Sequence, residues 1–196
     1  MRILFLGDIV GRPGRTLVAE RASSLRRELD LDLLLANAEN ASSGLGLTAR
    51  NASELLDVCD ALTTGNHVWR YKDLAQVPED VKVRIIDMHA EASSEKIGLA
   101  LHLDGQASAV LGTHTHVQTA DACVLPNGTG FLTDLGMCGP FPSCLGMEPA
   151  GVLRRFLTGL PERFEVAEAP ARLRGALLTI DEATGRCETI EAWAEG

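Results

Sequence analysis

Apolar residues in this chain come in short continuous runs that stop at glycine, asparagine or a charged residue, and between the runs they recur at helical spacing. Arg2 to Gly7 is the first run and is bounded by Gly-Asp, the pattern of a strand buried on both faces. After a loop over Asp8 to Gly14, the positions Leu17, Val18, Ala22, Leu25 and Leu29 share one face of a helix predicted over Arg15 to Leu29. Asp32 to Ala38 repeats the buried-strand pattern. The turn Gly44-Leu45-Gly46 leads into a second helix that Thr48 caps, with Ala52, Leu55, Leu56 and Cys59 on one side. Strands are predicted at Ala61 to Thr64, Val83 to Asp87 and Ala107 to Leu111, with a helix over Ser93 to Leu103 between the last two. Pro126-Asn127-Gly128 separates Cys123 to Leu125 from Gly130 to Leu132, a hairpin signal. Arg172 to Ile180 and Cys187 to Trp193, joined by the turn Asp181 to Gly185, make the last third antiparallel. The alternation of strand and helix before it places the chain in the α/β class.

Size and charge narrow the picture. A chain of 196 residues with 45% hydrophobic content can bury one core, so one domain over 1–196 is expected. The longest apolar runs fall far short of the ~18 residues a membrane span needs, and no cleavage signal follows Met1, so a cytoplasmic protein without a membrane partner is expected. Five cysteines without a CxxC pair suit a reducing compartment and small buried packing roles. A net charge of -9 repels a polyanion and excludes general duplex binding through a basic face. An anionic substrate would then need local positive charge, which metal ions supply.

The candidate chemistry sits where the strands end. Four of the five histidines, together with Asp8, Glu39 and Asn40, close apolar runs: Asn66-His67, His89, His114 and His116 complete the set. In open α/β sheets ligands bind beyond the carboxyl ends of strands, so five strand ends bring carboxylate, carboxamide and imidazole donors to one rim. Along an extended segment His114 and His116 point to the same side about 6.6 Å apart. That spacing lets one serve each of two ions ~3.5–4 Å apart.

These residues resemble a known family, the calcineurin-like metallophosphoesterases, and within it the bacterial YmdB-type cyclic-nucleotide phosphodiesterases. The matching segments are GDIVGRPG from Gly7 to Gly14, NAEN from Asn37 to Asn40, GNHVW from Gly65 to Trp69, DMHAEASSEK from Asp87 to Lys96, GTHTHVQTAD from Gly112 to Asp121 and TDLGMCGP from Thr133 to Pro140. They occur in the family's order and cover most of the chain. The resemblance implies a layered sandwich of mixed β-sheets flanked by helices. It implies that Asp8, Asn40 and His116 hold one metal ion, that Asn66, His89 and His114 hold the other, and that Glu39 bridges them. It also implies two divalent or mixed-valence ions, iron or manganese, with His67 as the catalytic group that protonates the leaving oxygen or steadies the phosphoryl oxygens. The implied reaction is in-line attack of a metal-bound hydroxide on a 2′,3′-cyclic or 3′,5′-cyclic nucleotide or a simple phosphodiester, and the family commonly self-associates. The chemistry is coherent: two ions lower the pKa of water from 15.7 to near ~7, and a histidine with a pKa near ~6.5 can donate to a departing ribose oxygen.

Other residues carry blander readings. His102 lies inside a predicted helix, away from the ligand positions, and is expected at the surface or in packing. Asp87, Glu91 and Asp134 are motif residues for which orienting a histidine and a structural hydrogen bond are equally good roles. Cys138 to Cys144 does not have zinc-knuckle spacing. Gly11, Gly14, Gly44 and Gly46 form neither GxGxxG nor GxxxxGK, so backbone freedom near the rim is their expected use.

Only 21 residues lie between His67 and His89, where the family usually has several tens more, so part of the second sheet and of the substrate wall is expected to be missing around 72–82. Two other readings follow. One is another metal hydrolase of the amidohydrolase type, although such an HxH pair belongs near the first strand of a ~250-residue barrel. The other is a non-catalytic, metal-bound scaffold that binds an RNA end or a protein partner.

Overall fold

Two faces of burial on one strand set the architecture. A computed structural model of the chain describes residues 1–42, 46–65 and 81–196. In β1 (Arg2–Leu6), Leu4 and Leu6 pack with one apolar cluster while Ile3 and Phe5 pack with another. The first cluster joins Val18, Ala22 and Leu25 of α1 (Gly11–Glu28) and Leu55 of α2 (Ala49–Leu56) to the sheet. The second joins that sheet to Ala109 and Leu111 of β6 (Ala109–Thr113) and Leu132 of β8 (Gly130–Leu132). A third places Ala100 of α3 (Ser93–His102) against Val110 and Phe131 on the far side of the second sheet. The layers therefore run helix, sheet, sheet, helix, which is the flanked sandwich expected. Each fully buried Leu or Phe in these layers contributes roughly 1.5–3 kcal/mol.

The first sheet has seven strands among the described residues. Its spine is β2 (Asp8–Ile9), β9 (Met137–Pro140), β10 (Ala171–Ile180), β1, β3 (Leu33–Asn37) and β4 (Ala61–Thr63), with β11 (Cys187–Glu195) also paired to β10. β1, β3 and β4 are parallel, with Leu6 opposite Ala36 and Asn37 opposite Thr63. The second sheet orders β5 (Ile85–His89), β6, β8 and β7 (Cys123–Val124), with β5, β6 and β8 parallel and His89 opposite Thr113. Parallel strands end on the same side, so the ends of β1, β3, β5 and β6 form the rim on which Asp8, Glu39, Asn40, His89, His114 and His116 lie.

Several boundaries differ from the sequence reading. α1 starts at Gly11 rather than Arg15, because Pro13 is compatible with a first helical turn, where its missing N–H is no loss. β5 and β6 run two residues later than predicted, so His89 is the last residue of its strand. β2, β9 and α4 (Pro149–Thr158) were not anticipated, although α4 carries Pro149 in its first turn and Gly159 at φ 68° past its end. The Thr48 cap forms: its hydroxyl accepts from Asn51 N–H at 3.3 Å. The hairpin at Pro126 to Gly128 and the antiparallel pair β10 and β11 also form. Gly44, and most of the segment 72–82, lie outside the described residues.

Candidate metal centre

Asp8 follows β1 through Gly7, a position where a Cβ would come within 2.1 Å of Gly136 O, so the chain turns into the rim under steric constraint. The Asp8 side chain is fully buried. Its Oδ1 accepts from Asn40 Nδ2 at 3.3 Å and lies 4.0 Å from His116 Nε2 and 3.8 Å from His89 Nδ1. Its Oδ2 accepts from the His114 backbone N–H at 3.1 Å. One carboxylate thus reaches donors that come from three other strand ends.

Glu39 follows β3, and its backbone N–H donates to Asn37 Oδ1 at 2.9 Å. Its Oε2 lies 2.7 Å from His89 Nε2. One ligand atom from each of Asp8, Glu39 and His89 falls within a 4.8 Å group, the only such cluster of three among the described residues. Gly65, at φ 66°, closes over this carboxylate: a Cβ there would lie 1.6 Å from Glu39 Oε2. Only glycine combines that backbone angle with that approach.

The histidines are oriented by groups outside the cluster. His89 Nδ1 contacts Thr113 Oγ1 at 2.9 Å, and that hydroxyl donates to Asp87 Oδ1 at 2.7 Å. Since the threonine proton goes to the carboxylate, Nδ1 of His89 carries its own proton and Nε2 presents a lone pair to Glu39. Asp87 Oδ2 also accepts from Asn37 Nδ2 at 2.7 Å and from Thr63 Oγ1, so it ties β3, β4 and β6 to β5. Asp87 therefore plays both of its expected parts, a structural hydrogen-bond centre that orients His89 through Thr113. Thr113 was missed in the sequence, because what marks it is its place opposite His89 in the ladder.

His116 donates from Nδ1 to the Leu145 carbonyl at 3.0 Å, which leaves its Nε2 lone pair towards Asn40 Nδ2 at 3.0 Å and Asp8. The carboxamide of Asn40 offers its oxygen to a cation after a half-turn. His114 Nδ1 lies 3.0 Å from His89 Nε2, and its Nε2 lies 3.0 Å from Glu91 Oε2. The rings meet edge to face at 83°. His114 and His116 are not on an extended segment as the spacing argument assumed; β6 has ended, and their φ angles are 106° and 65°. The loop bends so that His114 meets His89 while His116 meets Asn40 and Asp8. Asn66 and His67 lie outside the described residues, and His102 is exposed at the end of α3.

Burial leaves this cluster short of charge. It pushes the Asp8 carboxyl up to about 8, helped by the negative charges of Asp87, Asp134 and Glu39 and opposed by the hydrogen bond from His114. It pushes His89 down to about 4, with the other site histidines and Lys96 adding repulsion. His116 is lowered by burial as well, against the hydrogen bond to Leu145. Neutral imidazole lone pairs facing buried carboxylates are the donor set of a divalent cation, so these residues fit the implied metals.

Other candidates fall away. Cys138 is buried on β9, its thiol pushed up to about 12 by burial, which suits packing rather than zinc. Gly14 serves the contact of α1 with β9, because a Cβ there would lie 2.2 Å from Cys138 O. A cavity of about 1150 Å³ between α1 and the segment around Arg163 contains none of the candidate ligands. Donor chemistry, not volume, locates this centre.

The chain matches the family described as YmdB-like protein over residues 4–83 and 71–193. It is 36% identical over 252 residues to a Bacillus subtilis (strain 168) protein named 2′,3′-cyclic-nucleotide 2′-phosphodiesterase, covering 97% of this chain and 96% of that one. That alignment is longer than the 196 residues of this chain, and the two family matches overlap at residues 71–83. The crystal structure of a hypothetical protein from Thermus thermophilus superposes with a TM-score of 0.88 at 33% identity, over 100% of this chain and 99% of that one. A Mycoplasma pneumoniae structure described as a novel phosphatase gives 0.89 at 28%, over 100% and 93%.

Proposed function

This chain belongs to the YmdB-like family, and on that footing we propose that it is a metal-dependent phosphodiesterase acting on 2′,3′-cyclic or 3′,5′-cyclic nucleotides or simple phosphodiesters. The observation that carries the reading is the group of buried Asp8 and His89 with half-buried Glu39, whose donor atoms converge within 4.8 Å while Thr113 orients the His89 ring. The Bacillus subtilis relative's name supplies the substrate class.

In this reading Asp8, Asn40 and His116 would hold one ion, His89, His114 and Asn66 would hold a second, and Glu39 would serve both. The contacts of His116 with Asn40 and Asp8, and of His89 with His114 and Glu39, support that division. Bound iron or manganese ions would acidify water and neutralise phosphate charge in a chain whose net charge is -9. The protein's own residues do the rest. Asp87 and Thr113 fix His89, Asn37 positions the Glu39 backbone, and the Leu145 carbonyl fixes His116. His67 donates a proton to the departing ribose oxygen, a role worth roughly 10²- to 10⁴-fold.

No helix among the described residues is long and apolar enough to cross a membrane. Self-association would use α4, where Phe156 and Leu157 are 82% and 84% exposed. Light scattering at micromolar concentration tests it, a monomer mass being the opposing result.

The decisive experiment is hydrolysis of 2′,3′-cyclic AMP by manganese-loaded protein beside the same protein stripped by chelator. Turnover only in the loaded sample supports the phosphodiesterase. Bound metal without turnover of this or a simple diester favours the non-catalytic scaffold instead, and hydrolysis of an amide alone favours the amidohydrolase.

A further inference from the structure

A cavity of about 430 Å³ opens beside His116 and is lined by Arg172, Arg174 and Phe141. Both arginines come from β10, two residues apart, so strand alternation puts them on one face about 6.6 Å apart. The half-buried Arg15, Arg21 and Arg26 each pair with a carboxylate. Arg172 and Arg174 have no such partner among the described residues, and no carboxylate is among the cavity's described lining. Arg174 Nη1 donates to the Leu173 carbonyl at 3.0 Å. The Arg172 guanidinium rests on the Phe141 ring, 4.1 Å from its centroid, and makes no hydrogen bond to protein among the described residues.

In a chain with 27 acidic residues, two half-buried guanidiniums kept clear of carboxylates mark a place for an anion from outside. The rigid fork of guanidinium donors matches phosphate oxygens and holds them in pairs. The ring beneath Arg172 fixes the plane of that fork without using its N–H groups. His116 belongs both to this wall and to the proposed metal centre, so one substrate can span the two.

We propose that this cavity holds a second phosphate of the substrate, so that the preferred substrate is an oligonucleotide end carrying a cyclic phosphate and a neighbouring phosphodiester rather than a lone cyclic mononucleotide. The proposal rests on the phosphodiesterase reading of the adjoining centre. Phosphate contacts position a nucleic acid without reading its sequence, so the site selects for chain length and not for base.

The test compares kcat/KM for 2′,3′-cyclic AMP with that for ApA ending in a 2′,3′-cyclic phosphate, both with manganese. The dinucleotide should be favoured at least about tenfold, the effect of one charge-assisted hydrogen bond. That ratio should fall to about one in the Arg172→Gln, Arg174→Gln double variant and recover in part when both are Lys. Equal kcat/KM values in the unaltered protein, or a preference that survives the double variant, overturn the proposal. If neither substrate turns over, the phosphodiesterase reading fails separately, and equilibrium titration of the manganese-loaded protein decides the cavity. Adenosine 3′,5′-bisphosphate binding about tenfold tighter than 3′-AMP, with the difference lost in the double variant, supports a second-phosphate site; equal affinities overturn it.

Discussion

Lys96 Nζ donates to Asp134 Oδ2 at 2.8 Å, and neither side chain has any exposed surface. The pair links α3 to the turn after β8, and the same Asp134 oxygen accepts from the Thr115 backbone N–H at 3.1 Å. Its Oδ1 accepts from Gly136 N–H at 2.9 Å. The peptide between His114 and His116 is thus tied to a buried ion pair. Removing one partner strands the other charge, so Lys96→Met should cost about 3–5 kcal/mol in urea unfolding. A joint replacement by Met at 96 and Leu at 134 should recover much of that stability and lose metal, because Thr115 is released. Loss of metal without loss of stability in Lys96→Met would contradict this account.

Gly65→Ala should weaken metal uptake, since the new methyl group would push the Glu39 carboxylate aside and the backbone angle disfavours any side chain. Manganese content by elemental analysis, beside an unfolding curve, checks it; full occupancy in the variant would refute the close approach.

Thr113→Val keeps the shape of the side chain and removes the hydroxyl between Asp87 and His89. Metal affinity should fall by about 10–100-fold while the fold persists. Competition with a fluorescent chelator measures the change, and an unaltered affinity would deny Thr113 its orienting role.

Asp8 carries a proton up to about pH 8 in the metal-free protein, whereas a cation needs the carboxylate. Loading manganese at pH 7 should therefore release about one proton, and affinity should rise with pH until about 8. His89 adds no proton there, being neutral above about pH 4. The sign for stability follows. The raised carboxyl lets the native metal-free state bind more protons than the unfolded chain, so its Tm should fall between about pH 6.5 and 8. Below about 6.5 the lowered His89 acts in the opposite direction. Calorimetry in buffers of differing ionisation enthalpy counts the proton; a count of zero at pH 7 would place Asp8 as an ordinary acid.

His67→Ala should leave both metals bound and lower turnover by at least ~10²-fold. Unchanged turnover would remove His67 from the proposed mechanism, and retained full metal in a Glu39→Ala variant would refute the proposed bridging role of Glu39.

Local pattern was enough to mark most strands and the polar residues that end them. Continuous apolar runs at Arg2 to Gly7 and Asp32 to Ala38 required burial on both faces, and the residues that end them had to lie on one rim. Asp8, Glu39, Asn40, His89, His114 and His116 were legible for that reason. What surrounds them was settled only by folding. Thr113 and Lys96 look like ordinary strand and helix residues until the ladder sets Thr113 opposite His89 and burial sets Lys96 on Asp134. The bent path of His114 to His116 was equally hidden, because it depends on Asp134 and Leu145, which are distant in sequence. Periodicity is a local property of the chain, whereas hydrogen-bond partners and proton affinities depend on what folding brings within a few ångströms.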